Sequence, residues 1–212
     1  MQDKTNTGNT MNEENIRRDA FVQEEELDDD KEGDETTETK QDAKSMTTSD
    51  SGISFIKSFE GFIATLYDDA TGNATIGYGH LVHSGKVNGT NATETEEFKA
   101  GITEARAVEL LKEDVKSVAE SSVQSNVTVQ LTQNQFDALV AFTFNVGSSG
   151  FKGSTLLTRV NSGTATAESI KEAFLMWNKG TVGDKKQEIK GLTTRRTAEA
   201  KIYNENTYEN NG

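Results

Sequence analysis

The chain has 212 residues with neither cysteine nor proline, and its 22 Lys+Arg against 35 Asp+Glu give a formal net charge of −13. Without cysteine there is no disulfide framework, thiolate metal site or cysteine nucleophile, and two histidines, His80 and His83, argue against a multi-His metal centre. No apolar run approaches the roughly 18–20 residues that span a bilayer. No apolar signal core of about 7–15 residues stands near the N-terminus, and an acidic chain without a basic arm argues against nucleic-acid binding.

The charge is uneven. Residues 1–50 carry 6 basic and 16 acidic side chains and one aromatic, Phe21, whereas residues 51–212 carry 16 and 19. The composition predicts a disordered acidic leader over 1–50, because so little apolar surface cannot offset the entropy of ordering. A single globular domain is expected over 51–212. Within the leader, Ile16, Ala20 and Leu27 sit at near-helical spacing. Asp28, Asp30, Glu32, Gly33 and Asp34 fall on calcium-loop positions. Thr39 replaces the bidentate Glu of such a loop, so a solvated acidic run is the better account.

Ile53, Ile56, Phe59 and Ile63 predict a short amphipathic helix. Leu66 to His80, punctuated by Gly72, Gly77 and Gly79, reads as a small hairpin sheet. Thr103 is a candidate N-cap for a helix running to about Gln124, with Val108, Leu111, Val115 and Val118 on one face. Phe136, Leu139, Val140, Thr143 and Phe144 mark a buried helix, followed by a turn at Gly147, Gly150 and Gly153. Further helices are expected around Leu156, Leu157 and Val160, around Ile170, Phe174 and Trp177, and around Ala198 and Ile202. The fold class is α+β and mostly helical, with one small antiparallel sheet.

Chemistry concentrates between Glu60 and His80. Glu60 follows the apolar face of the first helix, where a carboxylate is costly unless paired or protonated. Asp69 lies nine residues on, in a wetter, Gly-bounded turn. Glycosidic cleavage uses such a pair: the drier carboxyl donates a proton to the leaving oxygen, and the ionised one activates water or stabilises the cation. Any acidic chain offers many Glu–Asp pairs, so the pair alone is weak.

The run E-G-x5-Y-x-D-x2-G-x2-T-x-G-x-G-H from Glu60 to His80 resembles the catalytic signature of the phage-type lysozymes, the muramidases of glycoside hydrolase family 24. The resemblance continues through Gln133–Val140, Phe142–Gly147, Ser154–Leu157, Phe174 with Trp177, and Gly191-Leu192 with Arg195-Arg196. It covers residues 51–212 and none of the leader. It implies a two-lobed lysozyme-like fold, a sheet lobe and a helical lobe joined by a long helix.

It also implies hydrolysis of the β-1,4 bond between N-acetylmuramic acid and N-acetylglucosamine in peptidoglycan, with inversion and no cofactor. Glu60 would be the general acid, Asp69 the carboxylate assisting water, and Thr75 the hydroxyl holding that water. Asp68 is the rival to Asp69, which alone keeps the family spacing from Tyr67 and Gly72. His80 is read as a partnered histidine closing the sheet, or else as catalytic. Tyr67 is packing or support. Arg195 pairs with the catalytic Glu or stands exposed on its helix. Leu81, Phe144 and Asn145 line the cleft or serve burial and capping.

Asn73-Ala74-Thr75 is a glycosylation sequon, read as accidental without an export signal. Residues 151–212, with 10 basic and 7 acidic groups, carry a slight cationic excess suited to an anionic wall polymer. The expected partner is peptidoglycan. A monomer is expected, held in the host cytoplasm until holin-dependent release; the leader alternatively makes it a virion component or a secreted effector. A non-catalytic wall-binding or virion module is the remaining reading.

Overall fold

The computed structural model describes residues 39–88 and 96–209. The helix and calcium-loop expectations for residues 12–38 lie outside them. Folded structure begins upstream of the expected boundary at residue 51. Strand β1, Gln41–Asp42, pairs antiparallel with β5, Gln130–Leu131. Ala43 and Met46 are buried in the main core, and Glu120 accepts hydrogen bonds from the Thr48 amide and hydroxyl, each at 2.8 Å. The end of the supposed leader is thus an anchor strap. Its polar sequence hid this, because the strap buries only two apolar side chains, Ala43 and Met46, and satisfies buried carboxylates with backbone amides.

Helix α1, Asp50–Phe59, starts at the N-cap Ser49, whose hydroxyl accepts from the Gly52 amide at 3.0 Å. Asp137 accepts from the Ser49 amide and hydroxyl and, at 2.7 Å, from the Tyr208 hydroxyl, tying both ends of the body to one helix. A Cβ at Gly52 would lie 2.8 Å from the Asp137 carboxyl carbon, so the close crossing requires glycine there. Ile63, expected on α1, instead opens strand β2 and is exposed. The helix stops three residues earlier than its apolar spacing suggests, at Glu60, which adopts extended backbone.

Strands β2 (Ile63–Asp68), β3 (Ala74–Gly77) and β4 (His80–His83) form an antiparallel meander. Tyr67 faces Thr75 and Thr75 faces Leu81 across it, so the three share one surface. Ile76 points the other way, into a small core with Phe98 and Leu110. Gly77 has φ +69°, and a Cβ there would lie 3.1 Å from that of Ala107, so both backbone and packing exclude larger residues.

Helix α2 (Glu104–Asp114) begins at Thr103 as expected and passes through a π-helical turn, Val115–Glu120, into α3 (Ser121–Asn126). The wider turn rotates the buried face to Val115, Ala119 and Val123. Val118, expected on that face, is therefore exposed.

Helix α4, Gln133–Lys152, runs through the main core. At Gly147, whose φ +77° and ψ 159° are non-helical, the chain kinks between two helical stretches, so the expected glycine turn falls there, and the second stretch is capped at Gly153. Helices α5 (Thr155–Ser162) and α6 (Ala167–Leu175) pack beside it, with Phe174 and Trp177 edge-on to Phe142 at 5.5 and 5.7 Å between ring centroids. A hairpin of β6 (Lys179–Val182) and β7 (Lys185–Glu188), which sequence did not suggest, leads into α7, Lys190–Glu205. The architecture is α+β and mostly helical. Among the described residues no helix is long and apolar enough to cross a membrane.

Candidate active site

The end of α1, the first hairpin of the sheet and the inner face of α7 carry the candidate side chains. Glu60 is the C-cap of α1, with its amide bonded to the Lys57 carbonyl at 3.2 Å. The helix terminus holds the residue while its side chain stays about a quarter exposed. Arg195 Nη1 on α7 donates to Glu60 Oε1 at 2.8 Å. The Arg195 side chain is only 5% exposed, and its guanidinium lies 5.2 Å from the Phe59 ring centroid. Of the two readings of Arg195, partner of Glu60 or exposed helical residue, the structure supports the first.

Asp69 opens the β2–β3 turn. Its carbonyl accepts from Gly72 N, at φ +82°, and its amide donates to the Asn73 carbonyl, both at 2.9 Å. Asp69 Oδ1 accepts three hydrogen bonds: from Thr71 N at 2.8 Å, Thr71 Oγ1 at 2.8 Å and Asn73 N at 2.9 Å. The Asn73 amide first, then the Thr71 hydroxyl, hold the carboxyl below the usual carboxylate range. All three bonds land on Oδ1, which leaves Oδ2 for a water or a substrate hydroxyl. Asp68 is occupied differently: its Oδ1 accepts from the Val87 amide at 2.8 Å and ties down the loop after β4.

Thr75 is buried, and its hydroxyl donates to the Asn73 carbonyl at 3.1 Å, one residue link from the Asp69 turn. Tyr67, opposite Thr75 in the sheet, reports on both acids. Burial, then the negative charges of Asp69 and Glu60, push its phenol up. Tyr67 and Thr75 thus share one surface of the sheet, and Tyr67 feels the charge of both acids.

The remaining candidates divide. Leu81 shares the surface of Thr75 and is 53% exposed, as a cleft-lining side chain would be. Asn145 is exposed and accepts from Arg196 Nη2 at 2.9 Å, so it caps an arginine. Phe144 packs half-buried against the main core. His80 Nδ1 pairs with Asp114 Oδ2 of α2 at 2.9 Å, which pins the sheet to the long helix. That hydrogen bond raises the imidazole above its ordinary value. Arg196 and Glu199, both fully buried beside Arg195, were not singled out by sequence. A glutamate four positions after Arg195 and three after Arg196 was the available signal. Among the described residues no group of three or more His, Cys, Asp or Glu is arranged to hold a metal.

A carboxyl paired with a buried guanidinium and a second carboxyl held by three turn hydrogen bonds stand on a mostly helical α+β scaffold. Residues 57–199 match the family described as phage lysozyme, and the chain belongs to that family. It is 41% identical to the endolysin of Salmonella phage P22 over 134 residues, 63% of this chain and 85% of that protein. It is 33% identical to an endolysin of Acyrthosiphon pisum secondary endosymbiont phage 1 over 160 residues, 74% of this chain and 98% of that one. The solved endolysin from Escherichia coli O157:H7 phage FAHEc1 superposes with a TM-score of 0.65 at 36% identity, covering 78% of this chain and 98% of that structure. The chain is a peptidoglycan hydrolase.

Proposed function

We propose that the protein cleaves the β-1,4 bond between N-acetylmuramic acid and N-acetylglucosamine in a single inverting displacement. Glu60 acts as general acid. It caps the C-terminal end of α1, with its carboxyl paired to Arg195 and about a quarter exposed, and would hand its proton to the leaving oxygen. Asp69 stays ionised through its three donors, and Oδ2 removes the proton of the attacking water. Thr75 orients that water from the neighbouring strand, and Tyr67 stands opposite Thr75 as a neutral phenol. Bond cleavage forms a reducing-end hydroxyl from water and returns the Glu60 proton to the leaving sugar, so atoms and charge balance.

The observation that carries this reading is the asymmetry of the two carboxyls: one faces a guanidinium at a helix end, the other holds three turn hydrogen bonds. The test is the anomeric configuration of the first-formed product, followed by NMR on a soluble peptidoglycan oligosaccharide. Inversion is expected. A retained anomer would show that Asp69 attacks the sugar directly and that Thr75 has no water to hold.

Similarity to phage endolysins supports lysis of a bacterial host as the biological role, with a monomer accumulating in the host cytoplasm and reaching the wall after holin action. The catalytic domain comprises the folded body that begins at Gln41, and residues 1–38 take no part in hydrolysis. His80 serves structure rather than chemistry, since its ring nitrogen is committed to Asp114.

A further inference from the structure

The arginine that faces Glu60 is itself held from behind. Arg195 donates from Nη1 to Glu60 at 2.8 Å and from Nε to Glu199 Oε1 at 3.2 Å, while Nη2 stands 3.5 Å from the Ala141 carbonyl. The same Glu199 oxygen accepts from Arg196 Nη2 at 2.9 Å. Arg196 lies over the Phe142 ring at 4.9 Å. Glu199 Oε2 and Arg196 Nε and Nη1 are buried without a hydrogen-bond partner. Such an arrangement is expensive: an apolar residue of similar volume would stabilise a core at least as well. The ionic cluster touches Glu60 on its cleft side, which suggests what it is kept for.

We propose that Glu199 is a positioning residue for Glu60: from inside the core it fixes the Arg195 guanidinium edge-on to the cleft and takes a share of its positive charge, so that Glu60 can keep its proton. The inference rests on the reading of Glu60 as general acid. A guanidinium attracts the ionised form of a carboxyl, whereas a general acid works protonated. Arg195 and Arg196 bring two positive charges. Ionised Glu199 removes one of them, and replacing it with a neutral side chain would return the full attraction to Glu60.

Among the described residues, the groups in contact with this centre come from three elements. Helix α7 supplies Arg195 and Arg196, and the end of α1 supplies Glu60. Helix α4 contributes the Asn145 amide, the Ala141 carbonyl and the Phe142 ring. Tyr67, beyond Glu60, is neutral in the working range. Burial pushes the Glu199 carboxyl up to about 7 in spite of both guanidiniums. Its ionisation therefore changes near neutrality, where it alters the charge that Arg195 presents to Glu60.

The test uses the full chain and follows kcat/KM for peptidoglycan hydrolysis against pH. Glu199→Gln should move the alkaline limb acidward by about half to one pH unit, the order expected for charges on opposite edges of one guanidinium at an effective dielectric of about 20. Above the limb the rate should fall roughly 3- to 10-fold, with rates on the acid side preserved. The double variant Glu199→Gln/Arg196→Met removes one charge of each sign and should return the limb toward its original place. An unmoved limb in Glu199→Gln, or an equal loss at every pH tracking a lower Tm, overturns the inference. If neither variant folds, 13C-carboxyl NMR of the unmodified protein decides: Glu60 should titrate with a second inflection at the pH where Glu199 titrates, and a single inflection overturns it. This readout does not need Glu60 to be the acid, whereas an active Glu60→Gln enzyme would sink that reading alone.

Discussion

Arg195 Nη1 and Glu60 Oε1 meet at 2.8 Å although 135 positions separate them in sequence. The pair joins the first and last helices of the folded body, so the acid's environment exists only when the whole body has closed. Removing Arg195 would leave Glu199 fully buried with Arg196 as its remaining counter-ion. Arg195→Met should cost about 3–5 kcal/mol of stability, the usual consequence of breaking a buried pair. Thermal and urea unfolding measure this directly, and a loss under about 1 kcal/mol would show that the pair is solvated.

Glu60→Gln and Asp69→Asn should each lower the rate of wall hydrolysis by roughly 10²–10⁴, the range for losing one proton-transfer partner. Asp68→Asn, equally acidic and adjacent, should cost less than about 10-fold, because its Oδ1 serves the Val87 amide. Turbidity loss of permeabilised cells ranks the three. Equal losses in Asp68→Asn and Asp69→Asn would put the assignment of the second carboxylate in error.

The strap gives a sharp contrast between two truncations. Removing residues 1–38 should leave Tm and activity unchanged. Removing 1–50 strips Ala43 and Met46 from the core and deprives Glu120 and Asp137 of donors. The second deletion should cost about 3 kcal/mol or more, the scale of one lost core side chain together with unsatisfied buried carboxylates. Calorimetry on both proteins checks this.

Much of the centre was legible because its parts are local. Glu60, Asp69, Thr75 and His80 fall within 21 consecutive residues, and Gly72 and Gly77 mark the turn and the close packing between them. Long apolar faces were legible too, as on α4. What escaped depends on distant pairing. Strand β1 is two residues long and paired with a two-residue partner, too short for any periodicity. The π turn at Val115–Glu120 shifts a face without changing composition, so Val118 looked buried and is not. Glu199 stands on a helix of polar composition with nothing local to single it out, and the packing of α7 against α4 buries it.

His80 makes a pH prediction whose sign follows from its raised value. The Asp114 bond stabilises the protonated ring, so this contribution is fully present below the unfolded value near 6.5 and is lost as pH rises through the higher folded value. The stability gap between the protein and His80→Gln should be widest near pH 5–6 and shrink above neutrality. Asp69 runs the opposite way: its depressed carboxyl contributes above its ordinary value and loses that contribution as acid protonates it. Urea unfolding across pH 3–9 resolves the two. Substantial activity retained by His80→Gln would confirm a structural role.

The assignment of the cleaved bond is tested most directly by the reducing ends that the protein creates in purified peptidoglycan. Borohydride labelling and mass spectrometry of soluble fragments should find new reducing ends at N-acetylmuramic acid, with none released by the Glu60→Gln protein. Reducing ends at N-acetylglucosamine, or fragments released equally by Glu60→Gln, would contradict a muramidase working through Glu60.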